Sequence, residues 1–317
     1  MAEPRPNRSV LRSPGQGPQS GGGRTRRTDG GRLADTPGDA PSSDRSVEAI
    51  RRYYDTFAEG EADRLTKDVA GRVSFEIHRR FMVNHLTKSQ RILEIGAGPG
   101  RFTTVLAEHG ARVVVTDISP VQLHLNEVNV TAAGSEHAVE ARHTLDVRDT
   151  SRFPDASFDM VLAYGGPLSY AFDQERQALA GLLRIVKPEG VVIASVMSLW
   201  GSWRARFPGA TQLAIRYGTD VTDAVIRTGD LRHVPGMTHV CRMFTWEQIA
   251  TLVAECGGEI LAGSASNWAS LEDPTILADI ERSPQLWERF IAYETAACAS
   301  VGARDGGTHI LFAARRS

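Results

Sequence analysis

The rhythm of apolar residues changes along the chain and divides it into three regimes. Residues 1–45 hold Pro, Gly, Ser and Arg and almost no large apolar side chains. Such a stretch cannot bury enough surface to offset its ordering entropy, so it reads as a disordered tail. From Ser46 the pattern becomes helical. Val47, Ile50, Tyr54 and Phe57 share one face, with Asp44 or Ser46 available as a cap. A second helix is expected over 69–85, with Val73, Ile77, Phe81 and Met82 on one side. Thereafter short apolar runs alternate with helical stretches. Strands are expected at 91–95, 111–116 (ending at Asp117), 139–145, 158–163, 191–196, 259–264 and 308–313. Helices are expected at 102–109, 120–133 and 174–186, the last stopped by a turn at 187–190. Thr245 caps a further helix through Cys256, with Glu247 and Gln248 in its first turn and Gly257-Gly258 ending it. Strand 191–196 is nearly all apolar, as in a sheet covered on both faces. Seven strands with helical crossovers between the first five describe an α/β, doubly wound, mostly parallel sheet.

Two segments interrupt the alternation. One, 198–243, carries Trp200, Trp203, Tyr217, His233, His239 and Arg242; the other, 267–307, contains a helix around 286–298. Insertions at strand ends are where such sheets build substrate pockets. The expected organisation is therefore a tail, 1–45, and one domain, 46–317. The domain opens with a helical segment, 46–90, and carries insertions 198–243 and 267–307.

The chemistry concentrates after the first strand, in Leu93-Glu94-Ile95-Gly96-Ala97-Gly98-Pro99-Gly100-Arg101. A strand–glycine turn–helix lets the backbone turn tightly and a ligand approach closely. A dinucleotide fold spaces its glycines G-x-G-x-x-G so that the helix receives a pyrophosphate. Here the third glycine comes one position early and Arg101 stands in place of the last. Pro99 removes a backbone donor, and Glu94 is ill suited to phosphates. Glu94 suits a ligand with an ammonium group, such as the methionine end of S-adenosylmethionine. Asp117, ending the second strand, can accept both ribose hydroxyls under either nucleotide reading. Asp146-Val147 after the third strand can hold an adenine amino group and pack its ring.

Charge and cysteines narrow the partners. The net charge of −2 provides no field to gather nucleic acid or an anionic membrane. No apolar run approaches a membrane span, and the N-terminus lacks the apolar core of a secretory signal. Cys241, Cys256 and Cys298 are far apart without CxxC spacing, so neither a disulfide framework nor a metal site is expected. The expected setting is the cytoplasm, with no nucleic-acid or membrane partner. Self-association is left open.

The motifs also carry a resemblance. Residues 94–100 resemble motif I of class I S-adenosylmethionine-dependent methyltransferases, Val115-Thr116-Asp117-Ile118-Ser119 the post-I motif, and Asp146-Val147 the adenine motif. Residues 153–161 are similar to the stretch leading into strand four, 183–190 to the turn before strand five, and 244–249 to a helix start common in that family. The likeness covers about residues 50–315 and implies a Rossmann-like methyltransferase fold under an N-terminal helical lid. It implies that Gly96, Ala97 and Gly98 line the methionine moiety. Asp117 would bind ribose, with Ile118 against adenine, while Asp146 and Val147 hold the adenine edge. Ala163 and Tyr164 would reach the ammonium and methyl-sulfonium region, and Tyr53 or Tyr54 would close over the cofactor.

The acceptor is less defined. Residues 163–168 lack the Asn/Asp-Pro-Pro-aromatic signature of DNA amino-methyltransferases. The aromatic first insertion and helical lid resemble small-molecule, often natural-product, members, which transfer methyl to N, O or C. A peptide or protein amine, a non-catalytic cofactor-binding module and an NAD-dependent enzyme are the alternatives. His233 and His239 are the base candidates, Tyr164 and Tyr170 are expected to shape the pocket, and Trp200 and Trp203 read as core rather than as a substrate-stacking pair.

Overall fold

A computed structural model describes residues 43–58, 60 and 67–317. The expectation of a disordered tail falls, but for residues 43–45, outside the described residues. All the elements named below belong to one compact unit.

The chain runs through α1 (Ser43–Phe57), α2 (Val69–Val83), β1 (Arg91–Ile95), α3 (Arg101–Glu108), β2 (Arg112–Asp117), α4 (Pro120–Ala132), β3 (Val139–Thr144) and β4 (Phe158–Ala163). It continues with α5 (Glu175–Ile185), β5 (Val186–Met197), α6 (Leu199–Ala205), α7 (Phe207–Tyr217) and α8 (Thr219–Thr228). It closes with α9 (Trp246–Glu255), β6 (Gly258–Ala265), α10 (Pro274–Glu281), α11 (Pro284–Ala299) and β7 (His309–Arg316). The sheet order is β3-β2-β1-β4-β5-β7-β6. Strands β1 to β5 pair in parallel, and β7 runs antiparallel between β5 and β6. The carboxyl ends of the parallel strands thus meet the start of β7, where Met197 pairs with His309.

Alternation along each strand fills both faces. Leu93, Val161 and Val192 pack with Leu179, Leu182 and Ile249 from α5 and α9. Ile92, Val113, Met160 and Ile193 pack with Met82, Phe102 and Leu106 from α2 and α3. Burial on both sides is what a parallel sheet requires.

Three local details depart from the sequence reading. Strand β5 begins at Val186, because residues 187–190 bulge out of the ladder between the Phe158 and Met160 pairings instead of ending the chain run in a turn. Ser46 is buried inside α1 rather than capping it. Trp200 and Trp203 are exposed on α6, at 45% and 42%, and so are not core. The expected helix cap at Thr245 is present, with Thr245 and Gln248 bonding reciprocally.

Glu294 of α11 anchors the second insertion. Its buried carboxylate accepts from the backbone N–H of Trp268, Ala269 and Ser270 and from the Ser270 hydroxyl, at 2.6–3.1 Å. Among the described residues no helix is long and apolar enough to cross a membrane. Nor is any group of three His, Cys, Asp or Glu side chains there arranged to hold a metal.

Candidate active site

Two clefts open at the carboxyl ends of β1, β2 and β4, and they share Ile95, Gly96, Gly98, Tyr164 and Gly165 as a common wall. The first lies beneath α1. The second lies beside α2 and α3.

The glycine turn between them is set by packing. Gly96 has φ +68°, and a Cβ there would stand 2.8 Å from Pro167 Cγ. Gly100, at φ +93°, would meet Val130 of α4 at 2.7 Å. These two glycines let the turn lie flat against its own neighbours. Gly98 instead donates its N–H to Asp117 Oδ2 at 2.9 Å, while Asp117 Oδ1 accepts from Ser119 N–H at 2.9 Å. The carboxylate ending β2 is thereby locked at the floor of the first cleft.

Around it the wall is apolar. Ile118, Leu145 and Val147 face Val47 and Ile50 of α1 across the cleft. Asp146 also lines it, but both its oxygens are engaged by Arg148. Arg148 in turn pairs with Asp44 of α1 at 2.7 Å. Helix α1 and the residue that follows it are held over the cleft by three more hydrogen bonds. Gln122 Nε2 donates to the carbonyls of Tyr54 and Ala58 at 3.1 Å, and the Ser119 hydroxyl donates to Asp55. At its rim Tyr54 Oη lies 2.8 Å from Tyr170 Oη, which lies 3.1 Å from His239 Nε2. Tyr53 stacks on His239 with centroids 4.4 Å apart.

In the second cleft Glu94 is buried and accepts the Thr103 hydroxyl at 2.6 Å. Burial, with the charge of Asp117 adding, pushes its carboxyl up to about 8 against the lowering effect of Thr103. A neutral acid there is poised to ionise when a cation arrives. Tyr164 is buried, its phenol held well above the ordinary range by burial, and it donates to the carbonyl of His78 at 3.1 Å.

Most of the site residues expected from sequence divide between the two clefts. Tyr54, Gly96, Gly98, Asp117, Ile118, Asp146, Val147 and Tyr164 line the first; Glu94, Gly96, Ala97, Gly98 and Tyr164 line the second. Ala163 lines neither, because it is fully buried at the end of β4 in the sheet core. His239 reaches the first cleft through Tyr170, whereas His233, in a one-turn helix after α8, lines neither. The sequence reading missed Gln122, His78, Arg101 and His309. Only His78 left a signal: it is a polar residue beside Ile77, on the buried side of a helix.

Residues 92–190 match a family model described as a methyltransferase domain. This segment of the chain matches as a methyltransferase domain. The chain is 36% identical over 104 residues to the demethylmenaquinone methyltransferase of Clavibacter sepedonicus, covering 33% of this chain and 40% of that protein. It is 39% identical over 59 residues to the ribosomal RNA large subunit methyltransferase E of Thermoplasma acidophilum, covering 19% and 27%. The matches thus span less than half the length of these curated relatives. Among solved structures, a chain of the complex between the Haloferax volcanii Trm112 methyltransferase activator and its methyltransferase superposes with TM-score 0.52, at 17% identity over 84% of this chain and 96% of that one. The PH0226 protein of Pyrococcus horikoshii superposes with TM-score 0.50, at 16% identity over 78% and 91%. Both share the fold of this methyltransferase domain.

The clefts suit such a cofactor. An apolar slot with a fixed carboxylate at its floor matches an adenosine, and a buried acid across a glycine wall matches a cationic tail with no phosphate.

Proposed function

We infer that the chain is an S-adenosylmethionine-dependent methyltransferase acting on an N, O or C atom of a small molecule, in secondary metabolism. The observation that carries the reading is the pair of clefts meeting at Gly96–Gly98, with Asp117 in one and Glu94 in the other. Gly96, Ala97 and Gly98 hold the methionine portion and Glu94 its ammonium group. Asp117 binds the ribose, and Ile118 and Val147 pack the adenine. Asp146 serves the adenine edge once Arg148 yields an oxygen. Tyr54, tied to Tyr170, closes the slot. When bound, the cofactor supplies a methyl group already activated on a sulfonium, so the protein's task is to align the acceptor and exclude water.

A small acceptor is favoured over a nucleic acid by the net charge of −2, which offers no attraction to a polyanion. Val47, Ile50 and Tyr54 roof the first cleft over the cofactor. The functional domain is 46–317, with 46–90 as its lid, in the cytoplasm.

Calorimetric titration with S-adenosylhomocysteine and with NADH tests the cofactor: binding of the first alone is expected, and NADH binding without it sinks the reading. Incubation of the protein and labelled methyl donor with a cell extract, fractionated by size, tests the acceptor. Label is expected in the small-molecule fraction; label in protein or RNA overturns that part.

A further inference from the structure

The first insertion leaves a continuous apolar stripe in solvent. Helix α6 is seated by its other side. Leu199 and Gly201 are buried there, and a Cβ on Gly201 would stand 1.6 Å from the carbonyl oxygen of Gly307, so only glycine admits so close an approach. Trp200 and Trp203, three residues apart and therefore neighbours on the helix, are left exposed. The stripe continues into α7. Trp203 meets Phe207 edge-on with ring centroids 5.0 Å apart, and Phe207, Thr211 and Ile215 follow at intervals of four on one helix face. Phe207 is 50% and Ile215 80% exposed, and no residue of α7 is buried. A single exposed apolar side chain needs no explanation, but a row of two indoles, a phenyl ring and an isoleucine marks a contact surface.

The charge beside the stripe identifies what it meets. The chain as a whole carries −2, yet residues 199–217 hold Arg204, Arg206 and Arg216 and no acid. Arg204 turns onto Trp268, its guanidinium over the ring and donating to the backbone carbonyl. Arg206 and Arg216 are exposed, and neither pairs with a carboxylate among the described residues. Arginines elsewhere are paired, as Arg79 and Arg80 are with Glu76 and Arg148 with Asp146. The next acids along the chain, Asp220 and Asp223, belong to α8. Aromatic rings beside unpaired arginines suit the boundary of an anionic bilayer, where indoles sit at headgroup level and guanidinium groups meet lipid phosphates. A nucleic acid would use the arginines and the rings but give Ile215 no burial. A second copy meeting the same face would set like charges against each other. We propose that α6 and α7 dock the domain reversibly on an anionic lipid surface, with Trp200, Trp203, Phe207 and Ile215 in the headgroup–acyl boundary and Arg206 and Arg216 on the phosphates. The net charge and the lack of a membrane-spanning helix do not bear on so local a patch. Because α6 starts at Leu199, directly beyond the carboxyl end of β5, docking holds the sheet edge that carries both clefts close to the lipid.

Co-sedimentation of the full chain with vesicles tests this. Vesicles of phosphatidylcholine with about 30% phosphatidylglycerol should carry the protein down and shift its tryptophan emission to the blue, while pure phosphatidylcholine should do neither. Binding should weaken about tenfold or more between about 0.05 and 0.5 M salt. Phe207→Ser combined with Ile215→Ser, and separately Arg206→Gln combined with Arg216→Gln, should each lower the partition coefficient by about tenfold. All four positions are exposed, so both variants should keep the wild-type circular dichroism and thermal midpoint. Equal binding to neutral and anionic vesicles, or binding to neither, overturns the proposal. So does undiminished binding in either variant, which places the attachment elsewhere, as in the Arg-rich residues 1–42. Analytical ultracentrifugation and a gel shift cover the other occupants. A dimer dissolved by the serine variant, without vesicle binding, overturns the proposal in favour of a second copy. Retention of RNA abolished by the glutamine variant, without vesicle binding, overturns it in favour of a nucleic acid.

Discussion

Binding of an ammonium-bearing ligand should expel a proton from Glu94. The carboxyl titrates at about 8 in the unliganded protein because it is buried, with Asp117 nearby. At pH 7 it is therefore about nine-tenths protonated. A cation seated against it stabilises the carboxylate, so S-adenosylhomocysteine should release about 0.9 proton at pH 7, about half at pH 8 and almost none at pH 9. Affinity should rise about tenfold per pH unit below pH 7, about fivefold from pH 7 to 8, and then level. Calorimetry in two buffers of different ionisation enthalpy counts the protons. The same linkage acts on folding. A carboxyl raised from 4.5 to about 8 costs stability above its unfolded value. The cost is small near pH 5, about 3 kcal/mol at pH 7, and about 5 kcal/mol above pH 8. Glu94→Gln keeps an acceptor for the Thr103 hydroxyl and removes that pH dependence. It should raise the denaturation midpoint at pH 7 and leave it nearly unchanged at pH 5. It should also weaken S-adenosylhomocysteine while sparing 5′-methylthioadenosine, which has no amino-acid end. Release of less than about 0.2 proton at pH 7, or an equal loss for both ligands, would refute the reasoning.

Three further outcomes are expected from the packing. Tyr54→Phe removes the bond to Tyr170, so S-adenosylhomocysteine should bind about three- to tenfold more weakly and amide exchange in α1 should quicken. Gly96→Ala forces a Cβ to 2.8 Å from Pro167 at φ +68°, and should lower stability by about 1–3 kcal/mol in denaturant titration together with cofactor affinity. Glu294→Ala strands three backbone donors and a hydroxyl, so thermal unfolding should reveal a loss of about 3 kcal/mol or more, with affinity for S-adenosylhomocysteine unchanged in the folded protein.

The wall between the two clefts was legible because its information is local. Gly96, Gly98 and Glu94 sit in one strand–turn–helix, and Asp117 ends the next strand, so spacing alone placed them at one sheet edge. Seven strands were equally readable, since each is an apolar run bounded by turn residues. Their order was not, because pairing is a long-range property: β7 inserts between β5 and β6, and only that insertion carries His309 to the carboxyl ends of the parallel strands. The opposite happened at Asp146, where the motif was plain but its carboxylate is held by Arg148 two residues on, a contact that strand periodicity cannot show. His78 belongs to a third kind. Helical spacing marks the side of α2 that is buried, but it does not distinguish a side facing other helices from one facing a cleft. That distinction comes from α2 crossing beside α3 and Tyr164, which places His78 on the cleft wall. The rest of the second cleft is lined by residues scattered over α2, β7 and the loop after β4, each constrained by what it faces rather than by its neighbours in sequence. This is why the sequence pointed to histidines in the long insertion while the structure brings two others into the second cleft.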